Sequence, residues 1–272
     1  MPNLFTEAQP ARPHACDPRA QSEPTRSVTA LLKDEPAGTH IAPHSHACAQ
    51  LVYATEGVIR VSTALGVWLL PPRRALLIAP GVEHALTMLS AVSLRTLYID
   101  AHAAAGFGSG CKVIEVSQLL RELILAMMRE PQHYPLPGRG GHLAALIMSE
   151  LACADTVPIA IPWPRDRRLL AVCQAIMAAP GARPGIAHLA AAAGASARTL
   201  IRLFPKETGL HFRQWVQQVH LAEAFLRLAR GDSVGEIARA LGYASPSAFT
   251  AMFHRLLGKT PQGYVAEWRR GA

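Results

Sequence analysis

Two histidines stand one residue apart in the segment HSHACAQLVYATEG, which spans residues 44–57. On a regular β-strand, side chains of one parity point to the same side of the sheet. The residues of one parity at the start of this segment are His44, His46, Cys48 and Gln50. A regular strand would present these four side chains together. Imidazole, thiol and amide groups can bind a transition metal, and they can also form hydrogen bonds with a small molecule.

Short strands must position these side chains. Between residues 27 and 99 the sequence contains short apolar or alternating stretches, such as AQLVYAT, GVWLLP and VSLRTLYID, and glycine or proline separates most of them. Closely spaced strands without a helical pattern between them are typical of a small sandwich or barrel. From Glu115 the apolar spacing becomes helical, which predicts helices over 117–130 and 140–153. These helices have more apolar surface than one small barrel needs, so we expect a homodimer.

A proline-rich stretch, TVPIAIPWPRD at residues 156–166, cannot continue a helix and indicates a domain boundary. In the rest of the chain, the apolar residues recur at helical spacing, and glycine, serine and proline interrupt this pattern. The sequence therefore predicts an α+β chain. Its predicted parts are a flexible tail over 1–25, an effector- or metal-sensing barrel over 26–100, a helical dimerisation or linker region over 101–164 and an all-α domain over 165–272.

The positive charge of the chain is concentrated in its last part. Residues 165–272 contain 15 of the 27 Lys and Arg and 6 of the 19 Asp and Glu, so their net charge is 15 − 6 = +9. The remaining 12 basic and 13 acidic residues give −1 for the rest of the chain. A basic domain joined to a nearly neutral one indicates that the basic domain binds a polyanion.

Two segments of the basic part have the same construction, IAHLAAAAGASARTLIRLF at 186–204 and VGEIARALGYASPSAFTAMF at 234–253. Each has a short apolar helix, a glycine (Gly194 or Gly242), a serine and a second helix. Glycine allows the left-handed backbone of a tight interhelical turn, and serine caps the N-terminus of the following helix. This pattern is typical of a helix-turn-helix, present here twice.

Residues from about 166 to 268 resemble the DNA-binding domain of AraC-type transcription regulators. The resemblance rests on SARTLIRLFPKETG at 196–209, on IARALGYASPSAFTAMFHRLLGKTP at 237–261 and on Tyr264. It implies a cytoplasmic, sequence-specific regulator that binds double-stranded DNA and senses an effector. Two positions depart from the family pattern, because His220 and Ala251 replace arginines that are common there. The second departure removes a basic residue from the second recognition helix.

The resemblance implies that the second helix of each unit enters the major groove, with the units held about one duplex turn, roughly 34 Å, apart. Arg198 and Arg202 are four residues apart on one helical face, and arginine reads guanine bidentately. Thr199 and Lys206 are expected to contact phosphates. On the second helix a stripe is expected to face DNA. The full predicted set is Ser196, Arg198, Thr199, Arg202, Lys206, Ser245, Ser247, Thr250 and His254.

The N-terminal sheet domain resembles a cupin over about 60 residues. The first cupin motif is matched in spacing by Gly38, His44, His46, Gln50 and Gly57, with glutamine where glutamate is usual. The end of the second motif is matched by Gly81 and His84. In that second motif Arg73 replaces the first glycine, and Met88 stands where asparagine is common.

A cupin arrangement would place His84 on a strand facing the first motif. His44, His46 and His84, together with Gln50, are then predicted to hold a divalent Zn, Ni, Fe or Mn ion. Cys48 is assigned to the effector pocket and could add a softer ligand. Three interpretations remain open at this point: a metal site, a metal-free effector pocket with histidines as hydrogen-bond partners, and histidines that only fill a barrel.

The predicted function is transcription regulation by a chain that is not an enzyme, and the alternative is a metal-dependent cupin enzyme with a basic helical domain. No Ser/His/Asp order, P-loop or dinucleotide fingerprint occurs in the sequence. No apolar run approaches the roughly 18 residues that span a membrane, and no secretory signal is evident, so we expect no membrane partner. The five cysteines form no CxxC pair, which indicates free thiols in a reducing cytoplasm.

Overall fold

A computed structural model describes residues 26–157, 159–182 and 184–270, and the predicted tail over 1–25 lies outside the described residues. The strands are β1 (Val28–Glu35), β2 (His40–His44), β3 (Ala49–Glu56), β4 (Ile59–Thr63), β5 (Gly66–Leu70), β6 (Arg74–Ile78), β7 (His84–Met88), β8 (Val92–Ile99), β9 (Cys111–Glu115) and β10 (Ile161–Pro162). The helices are α1 (Gln118–Met127), α2 (Arg139–Cys153), α3 (Arg167–Ala178), α4 (Ile186–Ala192), α5 (Ala197–Thr208), α6 (Phe212–Arg230), α7 (Val234–Ala240), α8 (Pro246–Leu257) and α9 (Pro261–Arg270).

The N-terminal half consists of two antiparallel sheets. One has the strand order β1-β8-β3-β6-β9 and the other the order β10-β5-β4-β7-β2. Apolar side chains from both sheets, such as Val52, Leu76, Ile59 and Leu86, form one buried cluster between them. Because side chains alternate along a strand, the neighbours Leu51 and Val52 of β3 belong to two different clusters. Both faces of the first sheet are therefore covered.

The sheet-rich N-terminal domain and the helical C-terminal domain are confirmed, but a closed barrel is not shown. Within the described residues, β1 and β9 remain the edges of one sheet, and β10 and β2 the edges of the other. The segment 101–164 is not helical throughout, because β9 and β10 come from it and extend the two sheets. Their strands are only 5 and 2 residues long, too short for a clear period-2 pattern.

Helices α1 and α2 pack on the outer face of the first sheet. Leu120, Ile124, Ile147 and Leu151 of these helices share a buried cluster with Leu97 of β8 and other outward-facing strand residues. Most of the apolar surface that predicted a dimer is thus buried inside the chain. Leucines that stay exposed on or between the two helices are Leu119, Leu136 and Leu146, with exposed fractions of 54%, 43% and 51%.

The helical domain packs on the outer face of the second sheet. Val67 and Leu69 of β5 share a buried cluster with residues of α3, α5 and α6, including Trp215. The indole Nε1 of Trp215 donates a hydrogen bond to the carbonyl oxygen of Pro162 in β10, at 2.9 Å. The chain is therefore layered as α1 and α2, first sheet, second sheet and helical domain, with apolar contacts at every boundary.

A second contact joins the first sheet to the C-terminal helix. The buried guanidinium of Arg74, at the start of β6, lies 3.3 Å from the carboxylate of Glu115 and 5.6 Å from the ring centre of Tyr264 in α9. Lys259 lies 2.8 Å from Glu267 and 4.0 Å from Glu115. Charged and aromatic groups from both halves thus form one junction, which we call the Arg74 junction.

Candidate metal centre and nucleic-acid interface

The structure brings three of the predicted metal ligands together. One candidate ligand atom from each of His44, His46 and His84 lies within 4.8 Å of the others. His44 ends β2 and is paired across the sheet with His84, the first residue of β7, and their ring centres are 4.4 Å apart. The ring of His46 is 4.9 Å from that of His44 and 5.6 Å from that of His84. His84 is buried, and the other two are half-buried.

The histidines do not converge for the predicted reason. A single regular strand over residues 44–50 is wrong, because β2 ends at His44 and β3 begins at Ala49 in the other sheet. The connection between β2 and β3 places His46 beside His84, the first residue of β7. This connection is held by a hydrogen bond from the backbone N–H of Gly81 to the carbonyl oxygen of His46, at 2.8 Å.

Backbone hydrogen bonds orient two of the imidazoles. Nδ1 of His44 lies 2.8 Å from the carbonyl oxygen of Ala42, and Nδ1 of His84 lies 2.9 Å from that of Val82. A carbonyl oxygen only accepts, so each Nδ1 must carry the proton, which leaves the Nε2 lone pair available. Nε2 of His84 is buried and has no hydrogen-bond partner in the described chain. This arrangement is common behind histidines that bind metals.

Burial favours the neutral form of His84. Burial is the largest cause of the lowered pKa of this residue, and the nearby His44 lowers the pKa further. The hydrogen bond to the Val82 carbonyl acts in the opposite direction. A neutral imidazole is the form that can bind a metal. Burial also raises the pKa of Tyr98 to about 12, so the phenol beside the cluster stays protonated.

Gln50 and Tyr98 lie next to each other behind the histidines. They are paired across β3 and β8, and the Tyr98 ring centre is 5.1 Å from that of His46. The Gln50 amide oxygen is buried and accepts no hydrogen bond within the described residues. Sequence reasoning missed Tyr98, and its one signal there is a phenol near the end of the strand VSLRTLYI.

Cys48 is buried in the same connection but is disulfide-bonded. The expectation of five free thiols is therefore wrong at this position, and Cys48 cannot supply a thiolate to a metal in this form. The sequence pattern could not show this, because disulfide pairing depends on distances in the folded chain. The free cysteines among the described residues are Cys111, Cys153 and Cys173.

The first helix-turn-helix consists of α4 and α5. Gly194 between them has a φ of 64°, in the left-handed region, and the Ser196 hydroxyl accepts a hydrogen bond from the backbone N–H of Thr199 at 3.1 Å. Leu200, Leu203 and Phe204 face the core and are buried. The opposite face is exposed and carries Arg198, Arg202 and Lys206. The structure thus places these predicted DNA contacts on one solvent-facing side of α5, with Thr199 half-buried beside them.

The second unit, α7 and α8, repeats the first. Gly242 has a φ of 68°, and the Ser245 hydroxyl accepts from the backbone N–H of Ala248 at 3.2 Å. Ser247 and His254 are exposed and Thr250 is half-buried, whereas Phe249 and Phe253 are buried. Both predicted serines, Ser196 and Ser245, therefore use their hydroxyls as helix caps.

Helix α6 separates the two units. Its 19 residues correspond to about 28.5 Å at 1.5 Å per residue, which is shorter than one duplex turn of about 34 Å. His220 in this helix is buried; its Nδ1 lies 3.0 Å from the Tyr243 hydroxyl, and its Nε2 lies 3.0 Å from the Pro180 carbonyl oxygen. The histidine that replaces the family's arginine thus links α6 to the turn of the second unit. It lines an open cleft of about 560 Å³ between α3, α6 and the second unit, and Ala251 of α8 also lines this cleft.

Two helix-turn-helix units on a rigid spacer helix, packed against a sheet domain with a cluster of polar donors, are the organisation of a DNA-binding regulator with a sensor domain. Comparisons with known proteins support this class. Residues 28–150 match the AraC-like ligand binding domain, and residues 189–267 match a helix-turn-helix domain. The transcriptional regulator NimR of Escherichia coli is 32% identical over 223 residues, which are 82% of this chain and 81% of NimR. The chain belongs to the AraC family of transcription regulators.

Two other similar proteins match less than half of this chain. The transcriptional regulator RipA of Corynebacterium glutamicum is 34% identical over 111 residues, which are 41% of this chain and 33% of RipA. The solved DNA-binding domain of the transcriptional factor AdpA, in complex with a target DNA, is 33% identical with a TM-score of 0.36, covering 38% of this chain and 94% of that chain. The family consists of DNA-binding regulators, so the alternative of a cupin enzyme is not supported. Across the described ranges, no helix has the length and apolar character to cross a membrane.

Proposed function

We propose that this regulator acts in the cytoplasm, that its paired sheets form an open cupin-like sensor, and that the sensor binds one divalent Zn, Ni, Fe or Mn ion. His44, His46 and His84 supply the nitrogen ligands, and Gln50 supplies an amide oxygen. Metal occupancy then changes how the two helix-turn-helix units bind DNA. The observation that carries this proposal is the convergence of three imidazoles, two of which have their Nδ1 atoms bound to backbone carbonyls.

The cluster can hold a metal ion if its ligands close on it. Zinc–nitrogen bonds are about 2.0–2.1 Å long and the coordination is tetrahedral, so two ligands of one ion lie about 3.4 Å apart. The ligand atoms of the three histidines lie within 4.8 Å of one another, so the widest pair has to approach by up to about 1.4 Å. If the ligands close when the ion binds, the occupied and the empty sensor make different contacts. A ligand shifts the equilibrium between two states only through such a difference.

The structure offers a physical connection from this cluster to the DNA-binding domain. The loop that follows β6 is bonded to the His46 carbonyl through Gly81, and the other end of β6 carries Arg74 of the Arg74 junction. Closure of the cluster therefore acts on a strand whose far end contacts Tyr264 of α9. A coupling between two sites requires an element whose position both sites influence, and we propose that β6 is this element.

The test measures DNA binding by the full-length protein, by fluorescence anisotropy on a duplex selected from a random library. We expect one of the four metals to change the dissociation constant about 5–150-fold, the usual range of allosteric coupling. His44→Ala should lose this response. His40→Ala, which removes an exposed histidine from the same strand outside the cluster, should keep it. A wild-type protein that contains no metal and responds only to an organic ligand would show a metal-free effector pocket instead.

Lys206 is proposed to contact a phosphate rather than a base, since it lies in the last turn of α5. Lys206→Ala should weaken binding to all duplexes by the same factor. It should also make the slope of log K against log salt concentration shallower by about 0.9, the value for one phosphate contact. Anisotropy titrations at four salt concentrations measure both effects. A loss confined to one base pair would show that Lys206 reads sequence.

We further propose that the exposed leucines of α1 and α2 form a homodimer contact. Sedimentation equilibrium at micromolar concentration should then show a dimer, and the double variant Leu119→Glu, Leu146→Glu should be a monomer because it places charges in that contact. Leu65→Glu changes an equally exposed leucine in the turn between β4 and β5 and should remain a dimer. A monomeric wild type would overturn this assignment.

A further inference from the structure

The exposed face of α5 contains an apolar side chain between its arginines. Ile201 is 54% exposed, and it lies three residues after Arg198 and next to Arg202. In a helix, residues three and four apart are neighbours, so Arg198, Ile201 and Arg202 form one patch. The buried residues of α5 face away from the two arginines, and Ile201 lies at the border of the exposed face.

Neither packing nor helix stability accounts for isoleucine at this position. The side chain is outside the apolar clusters of the domain, since its neighbours Leu200 and Leu203 are the ones that contact the core. A β-branched residue also lowers helix propensity relative to leucine or arginine. The remaining large exposed apolar side chains of the described chain are leucines of the sensor half. Ile201 differs from these leucines because its neighbours Arg198 and Arg202 are side chains that can read bases.

When α5 enters the major groove, the patch loses its water. Arginines find acceptors on guanine and on phosphates, whereas isoleucine needs an apolar surface. The C5-methyl of thymine is the apolar group that base edges present in the major groove. We propose that Ile201 contacts a thymine methyl and that the first unit therefore selects a thymine adjacent to a guanine read by Arg198 or Arg202. This inference rests on the DNA-binding role of α5.

The second unit provides an internal comparison. Counted from the capping serines, Ile201 corresponds to Thr250, and Arg198 and Arg202 correspond to Ser247 and Ala251. The equivalent patch on α8 therefore has no charge at these positions and a smaller apolar group. The first unit has the larger potential for discrimination between bases, and the methyl contact belongs to that unit.

Deoxyuridine differs from thymidine only by the absence of the methyl group, which makes the contact testable. The full-length wild type is used to select a duplex from a random library. Each thymine of the selected site is then replaced, one at a time, by deoxyuridine. At one thymine, wild type should lose affinity about fourfold, the value for one buried CH₂-sized group at about 0.8 kcal/mol. Ile201→Ala should bind the thymine and deoxyuridine duplexes equally.

Matched variants separate the possible outcomes. Arg202→Ala should weaken binding but keep the fourfold thymine preference, because it removes a different contact. Thr250→Ala should leave the preference at this thymine unchanged. If deoxyuridine weakens wild type and Ile201→Ala by the same factor at every thymine, the inference is wrong although DNA binding stands. If wild type selects no duplex at all, the DNA-binding role of α5 itself fails.

Discussion

Replacing His84 by alanine is expected to remove metal binding from the sensor domain. Loss of an outer-shell partner typically lowers metal affinity about 10–100-fold, and loss of a ligand should exceed this. His84 provides the Nε2 atom that is buried and has no hydrogen-bond partner in the described part of the chain. Native mass spectrometry should find one ion per wild-type chain and none in His84→Ala. Isothermal titration with Zn²⁺ and Ni²⁺ measures the change in affinity.

Three further measurements make this prediction specific. His44→Ala should lose the ion as well, and because His44 is half-buried this variant is less affected by loss of packing than His84→Ala. Gln50→Glu should strengthen binding by placing an anionic oxygen at the site. The matched control His40→Ala should bind like wild type. Full metal affinity in both His44→Ala and His84→Ala would contradict the proposed site.

The pH dependence of metal binding follows from the histidines. A protonated imidazole cannot bind a metal, so affinity should fall as the pH drops below about 6.5, the ordinary pKa of histidine. Burial lowers the pKa of His84, so this residue remains neutral at a lower pH than an unperturbed imidazole. In the unfolded chain His84 takes up a proton near its ordinary pKa. Above that pH His84 is neutral in both states and leaves stability unchanged, whereas at lower pH the unfolded chain binds the proton more readily and the folded state is destabilised.

Replacing Arg202 by alanine is expected to weaken binding to the selected duplex by about 1–3 kcal/mol, which is roughly 5–150-fold. Arg202 is exposed on the face of α5 that would enter the major groove. A bidentate arginine contact distinguishes guanine from the other bases, so the variant should also lose preference at one base pair. Anisotropy titrations on the selected duplex and on its single-base variants measure both losses.

The control for Arg202 removes the same charge elsewhere. Arg129→Ala changes an exposed arginine of the sensor half and should leave DNA affinity within experimental error. Arg198→Ala should behave as Arg202→Ala does, with its lost preference at a neighbouring base pair. If Arg202→Ala weakens all duplexes equally and changes the salt slope, then Arg202 is a phosphate contact like Lys206.

Most of the C-terminal domain could be predicted from the sequence. Two of its helices begin directly after the capping serines Ser196 and Ser245, and turn glycines such as Gly194 separate its helices, because these signals act on adjacent residues. The exposed arginines of α5 follow from the 3.6-residue period alone. Such features depend on interactions between residues that are only a few positions apart in the chain, so local sequence patterns reveal them.

The construction of the sensor domain could not be predicted from the sequence. The sequence predicted His44, His46 and Gln50 on one strand, whereas the chain changes sheets after His44 and places Gln50 in β3. It gave no sign of the disulfide at Cys48 or of Tyr98 beside His46. Strand pairing joins residues that are distant in the chain, as with His44 and His84. Which sheet a strand enters is decided by the packing of all layers together, so local residue patterns cannot specify it.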